Sequence, residues 1–158
     1  MTTFESGVYY IENIASHTVI ELTDDSGTPG TQVQGWEKRA LSDTLVSAQL
    51  WIIYPVGGSS SAYFIRNAGT RTTFMELTDG NPAEGTPIIS NPASGSTSQE
   101  WTITPNTAGT AYVIRNVASS TYIDLYKGNA ENGAVINGWG GTGPTTGNTH
   151  QLWVLTSA

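Results

Sequence analysis

The sequence has no cysteine, so its fold is held together without disulfides. Thiolate catalysis and cysteine-ligated zinc are excluded for the same reason. Charge is also scarce: 12% of the residues are charged, about half of what an average soluble domain carries. The basic residues number only six against 13 acidic ones, the net charge is −7, and the basic residues form no run. Nucleic acids and anionic membranes are bound by basic surfaces, so neither is a predicted partner.

Long apolar segments are missing as well, and no run approaches the length of a transmembrane helix. The opening MTTFESGVYY lacks the basic and apolar regions of a secretory signal, and the chain has no N-x-S/T sequon. These absences predict a cytoplasmic protein. Its 158 residues suffice for one domain with a hydrophobic core. Glycine, threonine, serine and asparagine replace the missing charge, a composition that favours short strands and tight turns over surface helices.

Three copies of one pattern fill the chain. Gln-x-Trp occurs at Gln49–Trp51, Gln99–Trp101 and Gln151–Trp153, and each copy precedes a strand-like run. Upstream of these lie YYIEN, YFIRN and YVIRN, followed by IELT, MELT and IDLY, and then GTQVQGW, GTPIISN and GAVINGW. Four landmarks therefore recur three times in the same order, which indicates an internal repeat.

Each landmark alternates apolar and polar residues with the period of a half-buried strand, and turn signals separate the landmarks. No segment shows the apolar stripe of a helix of ten or more residues. Four strands in each of three units give twelve strands, and three similar units can close around a pseudo-threefold axis. We therefore predict an all-β protein, a β-trefoil in a single domain of residues 1–158, with repeats at about 7–56, 61–105 and 110–158. The large apolar residues of the repeats, including the Gln-x-Trp tryptophans, are predicted to form its core.

The segment INGWGGTG, residues 136–143, contains the glycine spacing of a dinucleotide-binding loop. That loop needs a helix directly after its glycines, since the phosphate lies on the helix N-terminus. Here PTTGNTH follows, which is typical of a loop. We expect no cofactor at this segment.

The threefold Gln-x-Trp, with [DE]-L and G-x-x-[VI]-x-G-W between its copies, resembles the ricin B-type lectins. The lack of cysteine and the segments GVYYIENIASHTVIEL and LTDGNPAEGTPII are most similar to the small β-trefoil lectins of mushrooms, the group of the Clitocybe lectin. This resemblance implies a carbohydrate-binding protein, often specific for galactose or N-acetylgalactosamine. It also implies glycans as partners, a homodimer, a cytoplasmic location and a role in fungal defence.

A sugar presents an apolar C–H face and a rim of hydroxyls, which an aromatic ring and a carboxylate can bind. In the resembling family the acid of [DE]-L, the aromatic residue of G-W and a polar residue before Gln-x-Trp take these roles. Repeat three supplies Asp124 and Trp139 at the first two places. Before Gln151, the family usually has asparagine, whereas this chain has His150, with Asn148 two residues earlier; either one can make the third contact. Gln151 itself either touches the ligand or hydrogen-bonds a turn.

Repeat one supplies Glu21 and Trp36, but Ala48 precedes its Gln-x-Trp. Since Glu21 is one methylene longer than aspartate, the neighbouring Asp24 or Asp25 can take its place. Lys38 or Ser47 can complete the rim of this site.

Repeat two keeps Glu76 but has Asn91 and Pro92 where the other repeats have a tryptophan. With no ring to cover the sugar face, we expect this repeat to be silent or much weaker.

An enzyme is not predicted. The two histidines have no third ligand at a metal-site spacing, and neither H-E-x-x-H nor G-x-S-x-G occurs, so no metal site is predicted. The main alternative is a β-trefoil protease inhibitor. Its inhibitory loop would be Val56–Ala62 or Glu37–Leu45, with Lys38 or Arg39 directed at a trypsin-like pocket.

Overall fold

The structure, a computed structural model of the chain, describes residues 4–57 and 61–158. This part of the chain contains twelve strands, and its helices are single 3-10 turns of three or four residues. The strands are β1 (Gly7–Asn13), β2 (Val19–Leu22), β3 (Thr31–Trp36), β4 (Trp51–Pro55), β5 (Tyr63–Asn67), β6 (Thr73–Leu77), β7 (Thr86–Pro92), β8 (Trp101–Pro105), β9 (Tyr112–Asn116), β10 (Tyr122–Leu125), β11 (Ala134–Trp139) and β12 (Trp153–Ser157).

Six of the strands form a closed barrel. Going round it, β1 pairs with β4, β4 with β5, β5 with β8, β8 with β9, β9 with β12, and β12 again with β1, each pair antiparallel. The other six form three hairpins, β2–β3, β6–β7 and β10–β11. Their second strands pair with one another, β3 with β7, β7 with β11 and β11 with β3, so they close a triangle. This arrangement of barrel and triangle is a β-trefoil, which confirms the predicted fold.

The core fills the space between the barrel and the triangle. The three Gln-x-Trp tryptophans, Trp51, Trp101 and Trp153, are at most 1% exposed. Each indole Nε1 donates a hydrogen bond to a backbone carbonyl in the first strand of the hairpin, namely that of Ile20, Met75 or Ile123, at 2.9–3.0 Å. The tryptophan therefore fixes each hairpin onto the barrel while it fills the core. The residue after each bonded carbonyl is the acid of the [DE]-L motif.

Candidate functional site

The acid of each repeat is held by the glutamine of the same repeat's Gln-x-Trp. Each glutamine Nε2 donates to the acid and also to the carbonyl of the residue after the G-W position. The acid bonds are Gln49–Glu21 at 3.3 Å, Gln99–Glu76 at 3.0 Å and Gln151–Asp124 at 2.9 Å, and the carbonyls are those of Glu37, Pro92 and Gly140. The glutamine thereby links the end of the hairpin to its own acid, and the pattern repeats in all three units.

Gln151 consequently lies behind Asp124, on the side away from solvent. It is 1% exposed and does not line the cavity in front of Asp124. Its Oε1 atom is buried and has no hydrogen-bond partner among the described residues. Of the two roles the sequence left open, the internal hydrogen bonds to Asp124 and Gly140 are present, and a ligand contact of Gln151 stays a prediction.

Repeat three contains a cavity of about 290 Å³ in front of Asp124. The residues lining it are Asp124, Tyr126, Lys127, Trp139, Asn148 and His150. Four of these are the side chains that the sequence singled out, and Tyr126 and Lys127 are additional. Trp139 ends β11 and is half-buried. Its ring centroid is 6.2 Å from that of Tyr126, at an interplanar angle of 45°, so two aromatic rings line one cavity with the carboxylate.

The carboxylate of Asp124 is only partly used by the protein. Oδ2 accepts the hydrogen bond from Gln151, while no described residue donates to Oδ1. Burial raises the pKa of Asp124, and the hydrogen bond from Gln151 and the nearby His150 partly oppose that rise. The ionised form, which is the stronger acceptor, is therefore lost at a higher pH than for a solvated aspartate.

Asn148 and His150 both reach the cavity, but they are used differently. The side-chain oxygen of Asn148 accepts from the backbone N–H of His150 at 3.0 Å and caps the 3-10 turn Thr149–Gln151. Because the oxygen is used in this bond, the Nδ2 group of Asn148 is the part of the side chain that can donate a hydrogen bond to a ligand. The ring of His150 packs closely against Gly128: a Cβ built on this glycine would lie only 2.7 Å from Nε2 of the ring. The two residues can thus present separate polar atoms to one ligand.

Repeat one contains a second cavity, of about 280 Å³. Its lining consists of Glu21, Leu22, Asp24, Asp25, Gln34, Trp36, Arg39, Leu45 and Ala48. The predicted residues Glu21, Asp24 and Trp36 are among them. Lys38 is not: its Nζ lies 3.3 Å from Oε1 of Glu12 and 4.6 Å from the centre of the Tyr10 ring. The ion pair and the cation–π contact hold Lys38 away from the rim that the sequence assigned to it.

Arg39 takes a place beside the repeat-one acid that has no counterpart in repeat three. Its Nε lies 3.3 Å from Oε1 of Glu21, and its guanidinium is 5.9 Å from the centre of the Trp36 ring. The other oxygen of Glu21 accepts from Gln34 at 2.9 Å. Both oxygens of this carboxylate therefore have protein donors before any ligand binds.

Repeat two is closed in a similar way. Asn91, at the position of the missing tryptophan, donates to Oε2 of Glu76 at 2.8 Å, and Gln99 donates to Oε1. The repeat thus has neither a free carboxylate oxygen nor an aromatic ring at the matched place. Of the three acids, Asp124 is the one with a carboxylate oxygen to which no described residue donates.

A family model described as ricin-type beta-trefoil lectin domain-like matches residues 2–90 and 47–139. The chain belongs to this family. Membership supports carbohydrate binding. No curated protein sequence matches the chain.

The solved structures that are similar to this lectin domain include a designed protein and two mushroom lectins. The designed threefold-symmetric protein ThreeFoil matches with a TM-score of 0.82 at 16% identity, over 96% of this chain and 99% of its own, which shows the fold alone. The Polyporus squamosus lectin, bound to the epitope Neu5Aca2-6Galb1-4GlcNAc, is 26% identical with a TM-score of 0.75, and this chain covers 50% of it. The Macrolepiota procera ricin B-like lectin in complex with lactose is 25% identical with a TM-score of 0.76. This chain covers 100% of the Macrolepiota lectin, and 99% of this chain is matched by each of the two mushroom lectins.

Within residues 4–57 and 61–158, the lectin domain has no group of three histidine, cysteine, aspartate or glutamate side chains that could hold a metal ion. The same residues contain no helix long and apolar enough to cross a membrane. His17, the histidine outside the repeat-three cavity, is exposed and lies 3.3 Å from Glu12.

Asp25 at the repeat-one cavity depends on a glycine in repeat two. Its backbone is left-handed, with φ of 51°, and its Oδ1 is buried with no hydrogen-bond partner in the described chain. A Cβ on Gly69 would lie 2.9 Å from Cγ of Asp25 and closer still to Oδ1. In the equivalent contact between repeats two and three, the glycine is on the other side: Gly80 takes the place of Asp25 in the turn and faces the Cβ of Ala118, which takes the place of Gly69.

Replacing Gly69 by alanine is expected to lower the free energy of unfolding by about 1–2 kcal/mol, because the new methyl group meets the Asp25 carboxylate. In an Asp25→Gly background the same change recreates the Gly80–Ala118 pair and should cost little. A double-mutant cycle by urea unfolding measures this coupling. Additive effects of the two changes would contradict the contact.

Proposed function

We propose that the lectin domain binds galactose or N-acetylgalactosamine units of β-galactoside glycans, and that the repeat-three cavity is its main site. The observation that carries this proposal is the arrangement of Asp124 and Trp139 in one cavity. No described residue donates to one of the carboxylate oxygens there, and a half-buried indole lies in the same cavity. A sugar can place its C–H face on the ring and direct a hydroxyl to the free oxygen. The lactose bound to the Macrolepiota relative favours a galactoside as the ligand.

Replacing Asp124 by asparagine is expected to weaken lactose binding about tenfold, because one charge-assisted hydrogen bond of roughly 2.5 kcal/mol becomes a neutral one of roughly 1 kcal/mol. Isothermal titration or retention on a lactose matrix measures the change. Glu76→Gln is the matched control, since both oxygens of Glu76 are already occupied by Asn91 and Gln99. Equal losses in the two variants would indicate an indirect effect. No binding to any sugar on a broad glycan array would overturn the proposed function.

The inhibitor alternative is less well supported by the loop Glu37–Leu45. Both of its basic side chains are held by internal ion pairs, Lys38 by Glu12 and Arg39 by Glu21 and Asp43. The carbonyl of Arg39 also accepts from the hydroxyl of Tyr10 at 2.8 Å. A trypsin-like pocket requires a free basic side chain on an accessible backbone, which this loop does not offer. The other loop, Val56–Ala62, includes residues 58–60, which lie outside the described residues.

The physiological partners in this proposal are glycans on glycoproteins or glycolipids. The homodimer, the cytoplasmic location and the role in fungal defence stay predictions from the resemblance to mushroom lectins. Two cavities on one chain would let a single molecule engage two branches of a glycan or two glycans on a surface. Such linkage raises the apparent affinity of individually weak sites.

A further inference from the structure

One turn position differs in charge between the two cavities. After each [DE]-L motif the chain makes a 3-10 turn, and the middle residue of that turn is left-handed: Asp24 with φ of 55°, Asp79 with φ of 54° and Lys127 with φ of 56°. The nearly equal angles show that the three residues occupy equivalent places. Aspartate is one of the residues that adopt this conformation most readily, whereas lysine is less suited to it. Lys127 therefore stands out at a position where the backbone itself does not favour lysine.

Lys127 is placed at the rim of the repeat-three cavity. It is exposed, it lines the cavity, and its Nζ lies 5.2 Å from the centre of the Tyr126 ring. Asp124, the acidic residue of the same lining, is 4% exposed and lies deeper. Glu84 approaches Gly140 nearby but is not part of the lining. The cavity thus combines a buried acceptor for hydroxyls with a cationic rim.

The repeat-one cavity has the opposite rim. Asp24 takes the place of Lys127, and Asp25 follows it directly. The cation of this cavity, Arg39, is already paired with Glu21 and Asp43. An anionic group brought to this rim would meet two carboxylates.

We propose that repeat three recognises a galactoside carrying an anionic group, a carboxylate or a sulfate, next to its galactose ring, and that repeat one disfavours the same ligand. This inference rests on the proposed function. Asp124 holds the hydroxyls of the galactose ring on Trp139, and Lys127 pairs with the anionic group at the rim. The two cavities of one chain then select differently charged glycans.

The expected preference is modest and depends on salt. An exposed ion pair of this kind supports a difference of about two- to fivefold in affinity. Because the Debye length falls from about 10 Å at 0.1 M salt to about 3 Å at 1 M, the preference should largely disappear in concentrated salt.

Titration calorimetry with lactose, 3′-sulfated lactose and sialylated lactose tests the proposal. The measurements use the full chain with Trp36→Ala, which removes the aromatic ring of the repeat-one cavity. At low salt we expect one or both anionic sugars to bind about two- to fivefold more tightly than lactose. In Lys127→Met the ratio of the dissociation constant for lactose to that for the preferred anionic sugar should fall to about one. In Lys127→Asp lactose should bind more tightly than the anionic sugar. Lys127→Arg should retain it.

The matched control is Asp79→Lys, which places a lysine in the equivalent turn of repeat two and should leave the ratio unchanged. A tighter sulfated sugar identifies sulfate as the recognised group, and a tighter sialylated sugar identifies a carboxylate. If lactose binds and neither anionic sugar binds more tightly, the charge preference is overturned and the proposed function stands. A preference that persists in Lys127→Met would also overturn it. If none of the three sugars binds, the proposed function falls with it.

Discussion

Replacing Trp139 by alanine is expected to weaken galactoside binding at the repeat-three cavity roughly 70-fold. The indole is half-buried at the end of β11 and lies in the same cavity as Asp124. A hexose resting on it would cover about 100 Å² of apolar surface, which at about 25 cal/mol per Å² contributes about 2.5 kcal/mol. The loss exceeds that expected for Asp124→Asn because the ring provides most of the apolar contact, whereas the asparagine keeps a polar group that can hydrogen-bond a hydroxyl.

The control for this prediction is Trp36→Ala in the repeat-one cavity. Arg39 lies over Trp36, and both oxygens of Glu21 already have protein donors. Lactose titrations of the two variants, with urea unfolding to confirm equal stability, separate the cavities. If Trp139→Ala binds as the unaltered chain does while Trp36→Ala does not, repeat one is the main site and the proposed ranking is wrong.

The fold could be predicted from the sequence because the same four strand patterns recur three times in the same order. Each Gln-x-Trp precedes the equivalent barrel strand of its repeat, β4, β8 or β12, and each [DE]-L lies in the first strand of a hairpin. The pairing of β3, β7 and β11 into a triangle follows from threefold closure. The 3-10 turns after the [DE]-L motifs were not predicted, since three-residue turns carry no periodic pattern.

The resemblance to the lectin family assigns the sugar-binding roles, and the repeat alignment then locates Asp124, Trp139, Asn148 and His150 as the candidates for them. Their approach in one cavity depends on strands whose register the repeat fixes. Aligning the turn after [DE]-L would also have found Lys127, which occupies the place of Asp24 and Asp79. Tyr126 directly precedes Lys127, so the same comparison would have included it.

Arg39 and Lys38 show where sequence reasoning fails. Both lie in the segment after Trp36, which differs in length among the repeats, so no alignment positions them. Lys38 is directed to Glu12 and Tyr10, and Arg39 to Glu21 and Asp43. Adjacent residues in such a loop point in different directions, and the choice is made by ion pairs with residues far away in sequence.

The three acids also differ because of contacts that the repeat alignment does not reveal. The glutamine bond that orients each acid is common to all repeats, but the second donor differs: Asn91 for Glu76, and Gln34 with Arg39 for Glu21. Asp124 has no second donor among the described side chains. A shared structural motif therefore supports one open site and two acids that the protein itself satisfies to different degrees.

Replacing Gly138 by alanine is expected to lower the free energy of unfolding by about 1–3 kcal/mol, the usual cost of inserting a methyl group into a packed core. A Cβ at this position would lie 2.7 Å from Cδ1 of Leu77 and 3.0 Å from Oγ1 of Thr121. Leu77 is completely buried, so its side chain has little room to move away. Gly138 precedes Trp139, and strain here would also displace the ring of the proposed sugar site.

Gly35, the equivalent residue of repeat one, gives a matched comparison. Its Cβ would lie 3.3 Å from the Cβ of Ala134 and Cδ1 of Leu125, so these neighbours would have to shift by only a few tenths of an ångström, less than Leu77 would at Gly138. Repeat two already carries a side chain at this place, in the buried Ser90. Because alanine also restricts the unfolded chain, which contributes about 0.4–1 kcal/mol of stability, Gly35→Ala should be close to neutral. Urea midpoints measured at an unchanged m-value test the order. Equal losses at Gly35 and Gly138 would show that the triangle of hairpins excludes a methyl group uniformly, and that the close approach of Leu77 to Gly138 is not the cause.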